Sequence, residues 1–245
     1  MPDIPGDPVT PGRSRSPSRD LSGYQLSDSA PWEPLTRDRV LAAALRLVDA
    51  EGLAALTRRR LGRELGCEAM ALYRYVPDQA ALLDGIVDLV LDELVIPDEE
   101  QWQTQLWRGA HNFRRLALAH PHLVGLIVTR PISAPFGLWP LGTVRPVERV
   151  LKLLTGAGFT PAAALHVLRL YVGFLYGHIL TELQALNPEE TEDLRRHSLH
   201  ELPSREFPLL RSLASELAHY DGAAELDQGL GILLAGLERY RDSTP

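Results

Sequence analysis

With 245 residues, 45% of them hydrophobic and 23% charged, the chain is long enough for a sizeable core and has the make-up of an ordinary globular protein. It has no run approaching the ~18 apolar residues of a membrane span, no basic-then-apolar signal at its start and one cysteine, Cys67, which excludes an internal disulfide; a cytoplasmic protein without a membrane partner is expected. The net charge of −7 excludes a uniformly basic nucleic-acid binder, yet residues 35–80 carry eight arginines against six acids and form the only positive block.

Residues 1–34 are rich in Pro, Ser, Asp and Arg and predict a disordered tail. From Thr36 the pattern is helical. Thr36 caps a first helix with Asp38 in its opening turn; Val40, Leu41, Ala44, Leu45 and Val48 share a face, and Gly52 stops it. Thr57 caps a short second helix, "RRRLGREL", with Leu61 and Leu65 inward, and Gly66 supplies a turn. "EAMALYRYV" predicts a third helix with Leu72 and Val76 inward, closed by Pro77. Asp78 caps a fourth, from Gln79 to about Val95. Further helices are expected at about 99–119, 121–129, 142–156, 161–186, 189–197, 206–220 and 223–241, with the proline-rich "RPISAPFGLWP" as a loop. No strand-type alternation and no internal repeat occurs, so the fold class is all-α.

Helix, glycine turn, short helix is the helix-turn-helix order, whose second helix enters the major groove of DNA. A groove about 12 Å wide demands a slim outer face. Ala69 and Ala71 keep it slim and suit thymine methyls; Met70 and Tyr73 offer larger apolar surfaces; the Tyr73 and Tyr75 hydroxyls and Arg74 reach phosphates or base edges. Glu68 either accepts from cytosine or complements the helix dipole. Arg58, Arg59 and Arg60 open the preceding helix, where they reach the DNA backbone or a guanine, or form a solvated charged face.

The stretch "GLAALTRRRLGRELGCEAMALYRYVPDQAALLDGIVD" resembles the DNA-binding domain of tetracycline-repressor (TetR) type regulators. A looser resemblance to the C-terminal domain of that family runs through "WQTQLWRGAHNFRRL", "TRP", "GAGF" and "EFPLLRSLASELAHYDGAAELDQGLGILLAGLE". The resemblance implies a helix-turn-helix domain at 35–80 and a ligand-binding and dimerisation domain at 81–245, joined by a connecting helix. It places Arg59 at a base-reading arginine, Ala69 at a base-contacting glutamine, Ala71 at a phosphate-binding threonine, Tyr73 at a tyrosine and Gln79 where a phosphate-binding lysine is usual. Met70 replaces a proline and Arg74 a tryptophan, which implies a different operator sequence. Leu126, Val95 and Thr181 stand at the positions that hold tetracycline and its metal, and none is a strong ligand for a hard cation. The resemblance therefore implies the fold and the switch, not tetracycline.

Trp107, His111, Phe113, Leu126, Phe136, Trp139, His166, Tyr171, Phe174 and His178 are spaced to face a common helical interior, as pocket or as plain core. Arg114, Arg130 and Arg169 either anchor an anionic ligand or are ordinary surface arginines, and the surface reading is favoured. His120, His122, His197 and His200 lack a third ligand at metal spacing, so no metal is expected. Without a phosphate-cradling glycine loop or a nucleophile–base motif, neither a cofactor nor catalytic residues are expected. "LHVLRLYVGFLYGHIL" and "DQGLGILLAGLERY" are apolar on more than one face and predict a four-helix homodimer interface. The expectation is a homodimeric repressor that binds a palindromic DNA operator and releases it when an unidentified small apolar or aromatic effector binds. The alternatives are a helical interaction module with lapsed DNA binding and a small helical enzyme.

Overall fold

The computed structural model describes residues 34–98, 101–129, 141–186 and 192–243. The expected tail at 1–34 (but for its last residue), the loop around Phe136 and Trp139, and Arg130 lie outside them. The chain divides into two units at Thr36, of which the second, Thr36–Pro245, is compact. The second is helical throughout its described residues: α1 (Arg37–Glu51), α2 (Arg58–Leu65), α3 (Gln79–Asp92), α4 (Trp102–Ala119), α5 (Pro121–Val128), α6 (Leu141–Gly156), α7 (Pro161–Ala185), α8 (Glu192–Glu201), α9 (Pro208–Ser212), α10 (Ala214–Ala218) and α11 (Gly222–Ser243).

The helix starts follow side-chain chemistry. Thr36, Thr57, Asp78 and Thr160 each accept a hydrogen bond from the backbone N–H three residues on. α1 packs on both α2 and α3, and Val40, Ala44, Val48, Leu61, Leu82 and Ile86 are fully buried. α3 then continues onto α6, and α7 packs against α4, α6 and α11. By length and composition alone α7 could cross a membrane, but nine of its residues are buried within the molecule, the charged Glu182 among them.

Three expectations are corrected. The segment after Gly66 is a six-residue 3₁₀ turn, Ala69–Arg74, not an α-helix. Its first residue has no side-chain cap, and only ten residues separate Gly66 from Pro77, a length that suits a short i→i+3 run. α3 ends at Asp92 rather than near Val95, because the Val95 N–H donates to Asn112 Oδ1 (2.9 Å) on α4 instead of continuing the helix. The helix expected at 206–220 is two short helices that break at Leu213 while Ala214 and Ala218 stay buried.

Gly66 takes the left-handed conformation (φ 67°) that ends α2. Gly62 allows a closer approach. A β-carbon there would sit 2.8 Å from the Cys67 carbonyl oxygen and 3.2 Å from the Ala69 nitrogen, both backbone atoms that cannot swing aside. α2 and the 3₁₀ turn thus meet at a distance only glycine permits. Gly62→Ala is expected to destabilise the protein by about 1–3 kcal/mol, although Ala is the better helix former. Gly125→Ala on α5, where a β-carbon meets open space, is expected to be neutral or stabilising. Thermal unfolding of both variants checks this, and a midpoint unchanged by Gly62→Ala would contradict it.

Candidate nucleic-acid interface and effector cavity

Successive helical residues point about 100° apart, and the three consecutive arginines of α2 have three fates. The Arg58 guanidinium lies over the Tyr73 ring, 3.9 Å from its centroid, and its Nη1 donates to the Val76 carbonyl (3.1 Å). Arg60 is bound to Glu51 (2.6 Å) and Glu64 (3.0 Å), whose hydrogen bonds raise its pKa further. Arg59 is exposed and makes no polar contact among the described residues. Arg74 is exposed and equally uncommitted.

Met70 and Tyr73, three residues apart on the 3₁₀ turn, stand one above the other. They are 72% and 48% exposed, high for apolar side chains on a short, anchored element. Glu68 is exposed beside them, and Ala69, Ala71 and Tyr75 are half-buried. Leu72 and Val76 hold the turn to the core from beneath. Gln79 is drawn back: its side-chain amide donates to the Leu56 carbonyl (3.3 Å). The structure therefore gathers Glu68, Ala69, Met70, Ala71, Tyr73 and Arg74 on one short turn and binds Arg58 and Gln79 to the domain.

Below this domain, α3, α4, α6 and α7 line a partly open pocket with a cavity of about 80 Å³. Its walls are almost wholly apolar, with Leu91 near the end of α3, Ile96 just beyond that helix, Phe113 on α4, Val147 on α6, and Leu168 and Leu175 on α7. At Gly109 a β-carbon would meet Ile96 and the Tyr171 hydroxyl at ordinary contact distances of 3.4 and 3.5 Å. Tyr171 donates to the Leu106 carbonyl (2.6 Å), and burial pushes its phenol far up. Thr143 Oγ1 is buried on the wall without a hydrogen-bond partner.

Of the aromatic and histidine positions singled out in the sequence, Phe113 and Tyr171 line this cavity. The Trp107 ring lies tilted against that of His111 (4.0 Å between centroids), and His111 Nε2 pairs with Asp227 of α11 (2.8 Å). Leu126 and Phe174 are half-buried elsewhere, and His166 is exposed, with its ring 6.3 Å from that of Tyr240. Phe174 presses on Gly229, where a β-carbon would overlap its ring. Sequence reasoning missed the walls from α3 and α6; the apolar run Leu89–Leu91, continued by Leu94–Ile96, was the available signal.

A second feature was not anticipated. Glu182 is 4% exposed and takes two hydrogen bonds from Arg114, at 2.5 and 2.9 Å. Arg114 is thus an internal partner rather than the surface arginine expected. His178, one turn before Glu182, is buried beside it, with Nε2 3.4 Å from Glu182 Oε2 and Nδ1 3.4 Å from the Tyr220 hydroxyl. Burial lowers the His178 pKa and Arg114 adds to that, against the opposing pull of Glu182. Among the described residues no group of three or more His, Cys, Asp or Glu is placed to hold a metal ion.

Known proteins share this architecture. The family described as "Tetracyclin repressor-like, C-terminal domain" matches residues 96–241. The chain is 30% identical over 237 residues to the HTH-type transcriptional repressor DrrR1 of Streptomyces coeruleorubidus, covering 88% of this chain and 83% of that one. It is also 30% identical over 218 residues to the tetracycline repressor protein class C of Escherichia coli, covering 86% and 94%. Among solved structures, the TetR family protein ActR of Streptomyces coelicolor in complex with actinorhodin matches with a TM-score of 0.73 at 32% identity, over 85% of this chain and 99% of that one.

The buried histidine makes stability depend on pH. With its folded pKa below the ordinary 6.5, His178 binds fewer protons in the folded chain than in the unfolded one. Its contribution is complete above 6.5 and is lost as the pH falls toward the lowered value. Urea unfolding across that range is expected to show stability falling with pH, with a shallower fall in His178→Gln. An identical slope in the variant would remove His178 as the cause.

Proposed function

Since the chain belongs to the TetR family of transcriptional repressors, we propose that it is a cytoplasmic homodimer that represses by binding a palindromic DNA operator through the 3₁₀ turn and lets go when an apolar, uncharged molecule fills the cavity. It acts as a regulator rather than as an enzyme. The observation that carries the reading is the outward pair Met70 and Tyr73, exposed on an anchored turn between the uncommitted Arg59 and Arg74. Such a surface offers apolar contact for thymine methyls and donors for phosphates and base edges. Within this reading 35–80 is the DNA-binding segment and 81–245 holds effector and dimer functions. Glu68, Ala69, Ala71 and Tyr75 complete the contact surface.

The cavity supports an effector with large apolar area and few polar groups, since its walls offer one uncommitted hydroxyl, Thr143, and no charge. ActR, similar in fold, was solved in complex with actinorhodin, which supports a small-molecule effector for this chain as well. Magnesium–tetracycline does not suit it: Leu126 is apolar, and Val95 and Thr181 are exposed. Release follows from the effector's preference for a dimer state in which the two turns no longer stand one duplex turn, ~34–36 Å, apart.

Two exposed faces support the dimer. α7 leaves Leu170, Gly173, Gly177 and Leu180 in solvent, and α11 leaves Gly231, Ile232 and Ala235. Gly173, Gly177 and Gly231 have nothing within 4 Å of a β-carbon position, so a partner's helices have room to approach closely. A standard interface of ~800 Å² per partner supplies enough apolar burial to hold a dimer at micromolar concentration.

Two measurements test the proposal. In a gel shift with the DNA flanking its own gene, the wild type is expected to retard a palindromic fragment. Tyr73→Ala is expected to bind it at least tenfold more weakly with an unchanged thermal midpoint, and equal binding would take the turn out of the groove. Ile232→Glu, at a residue 77% exposed, is expected to sediment as a folded monomer and to lose operator affinity. A wild type that sediments as a monomer would remove the two-turn mechanism.

A further inference from the structure

The geometry points to Arg58 as a positioning residue that fixes the Tyr73 ring for base recognition, rather than as a contact to phosphate or base. This rests on the reading of the 3₁₀ turn as the DNA-facing element.

Arg58 is the first residue of α2, directly after the Thr57 cap, and Val76 follows the 3₁₀ turn. The Arg58 side chain spans the two. Its Nη1 donates to the Val76 carbonyl at 3.1 Å, and its guanidinium carbon lies 3.9 Å from the Tyr73 ring centroid. Nη2 is buried with no hydrogen-bond partner, so its hydrogens are turned away from the solvent in which a phosphate would sit. The cation faces the electron-rich ring instead, a geometry that a planar guanidinium fills and an ammonium does not reproduce. Arg59 and Arg74 remain free for the DNA.

Tyr73 needs such a support. It sits on a 3₁₀ turn of six residues whose first residue has no side-chain cap, and nearly half of its surface is in solvent. Left alone, the ring samples several rotamers, and ordering it on DNA lowers affinity. A guanidinium on one face orders it beforehand. Arg58 then acts on recognition through Tyr73 alone, which separates it from an arginine that neutralises a phosphate.

The test uses the full-length protein and the duplex that the wild type selects from a randomised pool. Arg58→Lys retains the charge, yet is expected to bind that duplex about tenfold more weakly. The same substitution is expected to cost as much in a Tyr73→Phe background, which keeps the ring, and nothing further in a Tyr73→Ala background, which lacks it. Arg58→Met removes the charge and is expected to leave the slope of log affinity against log salt unchanged, whereas loss of a phosphate contact lowers that slope by about 0.9. Wild-type affinity in Arg58→Lys, additive losses in the Tyr73→Ala background, or a reduced slope in Arg58→Met would each overturn the assignment. Should Arg58→Met fail to fold by circular dichroism, the lysine series decides alone. A wild type that selects no duplex would overturn the DNA-binding reading and this inference with it; selection followed by additive losses overturns only the inference.

Discussion

The Glu182 carboxylate is the group around which the C-terminal helices are set. A carboxylate at that depth is tolerated only with a full set of partners, and Arg114 supplies two hydrogen bonds from α4. The start of α11 lies so close that a β-carbon on Gly222 would overlap the carboxylate. One buried charge thus fixes α4, α7 and the beginning of α11 against each other. Such pairs add little net stability over an apolar substitute, but they penalise any slip of one helix along another. The cavity walls on α4 and α7, Gly109 and Phe113 facing Tyr171 and Leu175, keep their spacing because that pair does not slide.

The helices that wall the cavity also touch the N-terminal helix α1 and the segment ahead of α2. α4 ends at His120, whose Nδ1 lies 3.0 Å from both carboxylate oxygens of Asp49 on α1. His122, just beyond, lies against Gly52, where α1 stops. α3 gives Leu91 to the cavity at one end and, at the other, carries the Gln79 amide that binds the Leu56 carbonyl ahead of α2. Midway along α3, Gly85 lies so near Leu41 of α1 that a β-carbon would collide with it. Packing this close resists gradual deformation. A molecule that spreads the cavity acts on helices with little freedom to absorb the change locally.

Local chemistry was legible in the sequence. The caps at Thr36, Thr57, Asp78 and Thr160 and the left-handed Gly66 are read from side chains acting over three or four residues. Periodicity also identified which faces turn inward, as Leu61, Leu72 and Val76 confirm. It does not identify what an inward face meets. Trp107 and His111 belong to a face of α4 that reaches Asp227 on α11, while Phe113 belongs to the face that lines the cavity. Nor does a run of three arginines disclose that two of them are engaged within the fold, since their partners Glu51, Tyr73 and Val76 lie 9 to 18 residues away. Arg114 was misread for the same reason: its partner is 68 residues distant.

That distribution of charge bears on how the protein engages DNA. The positive excess of residues 35–80 is small, and Arg60 is neutralised by Glu51 and Glu64. Arg58 is turned to an aromatic ring. Under the proposed function the turn would therefore meet DNA with few free cations and with exposed apolar surface at Met70 and Tyr73. Non-specific affinity comes mainly from phosphate neutralisation, whereas apolar contact with base edges discriminates between sequences. On that reading a single domain would bind weakly but selectively, and useful affinity would require two of them on one duplex at once. The gain from the second disappears when the spacing no longer matches the groove repeat. In the proposed dimer a change in the cavity would then need to disturb no DNA contact to end binding; altering the separation of the two turns would be sufficient.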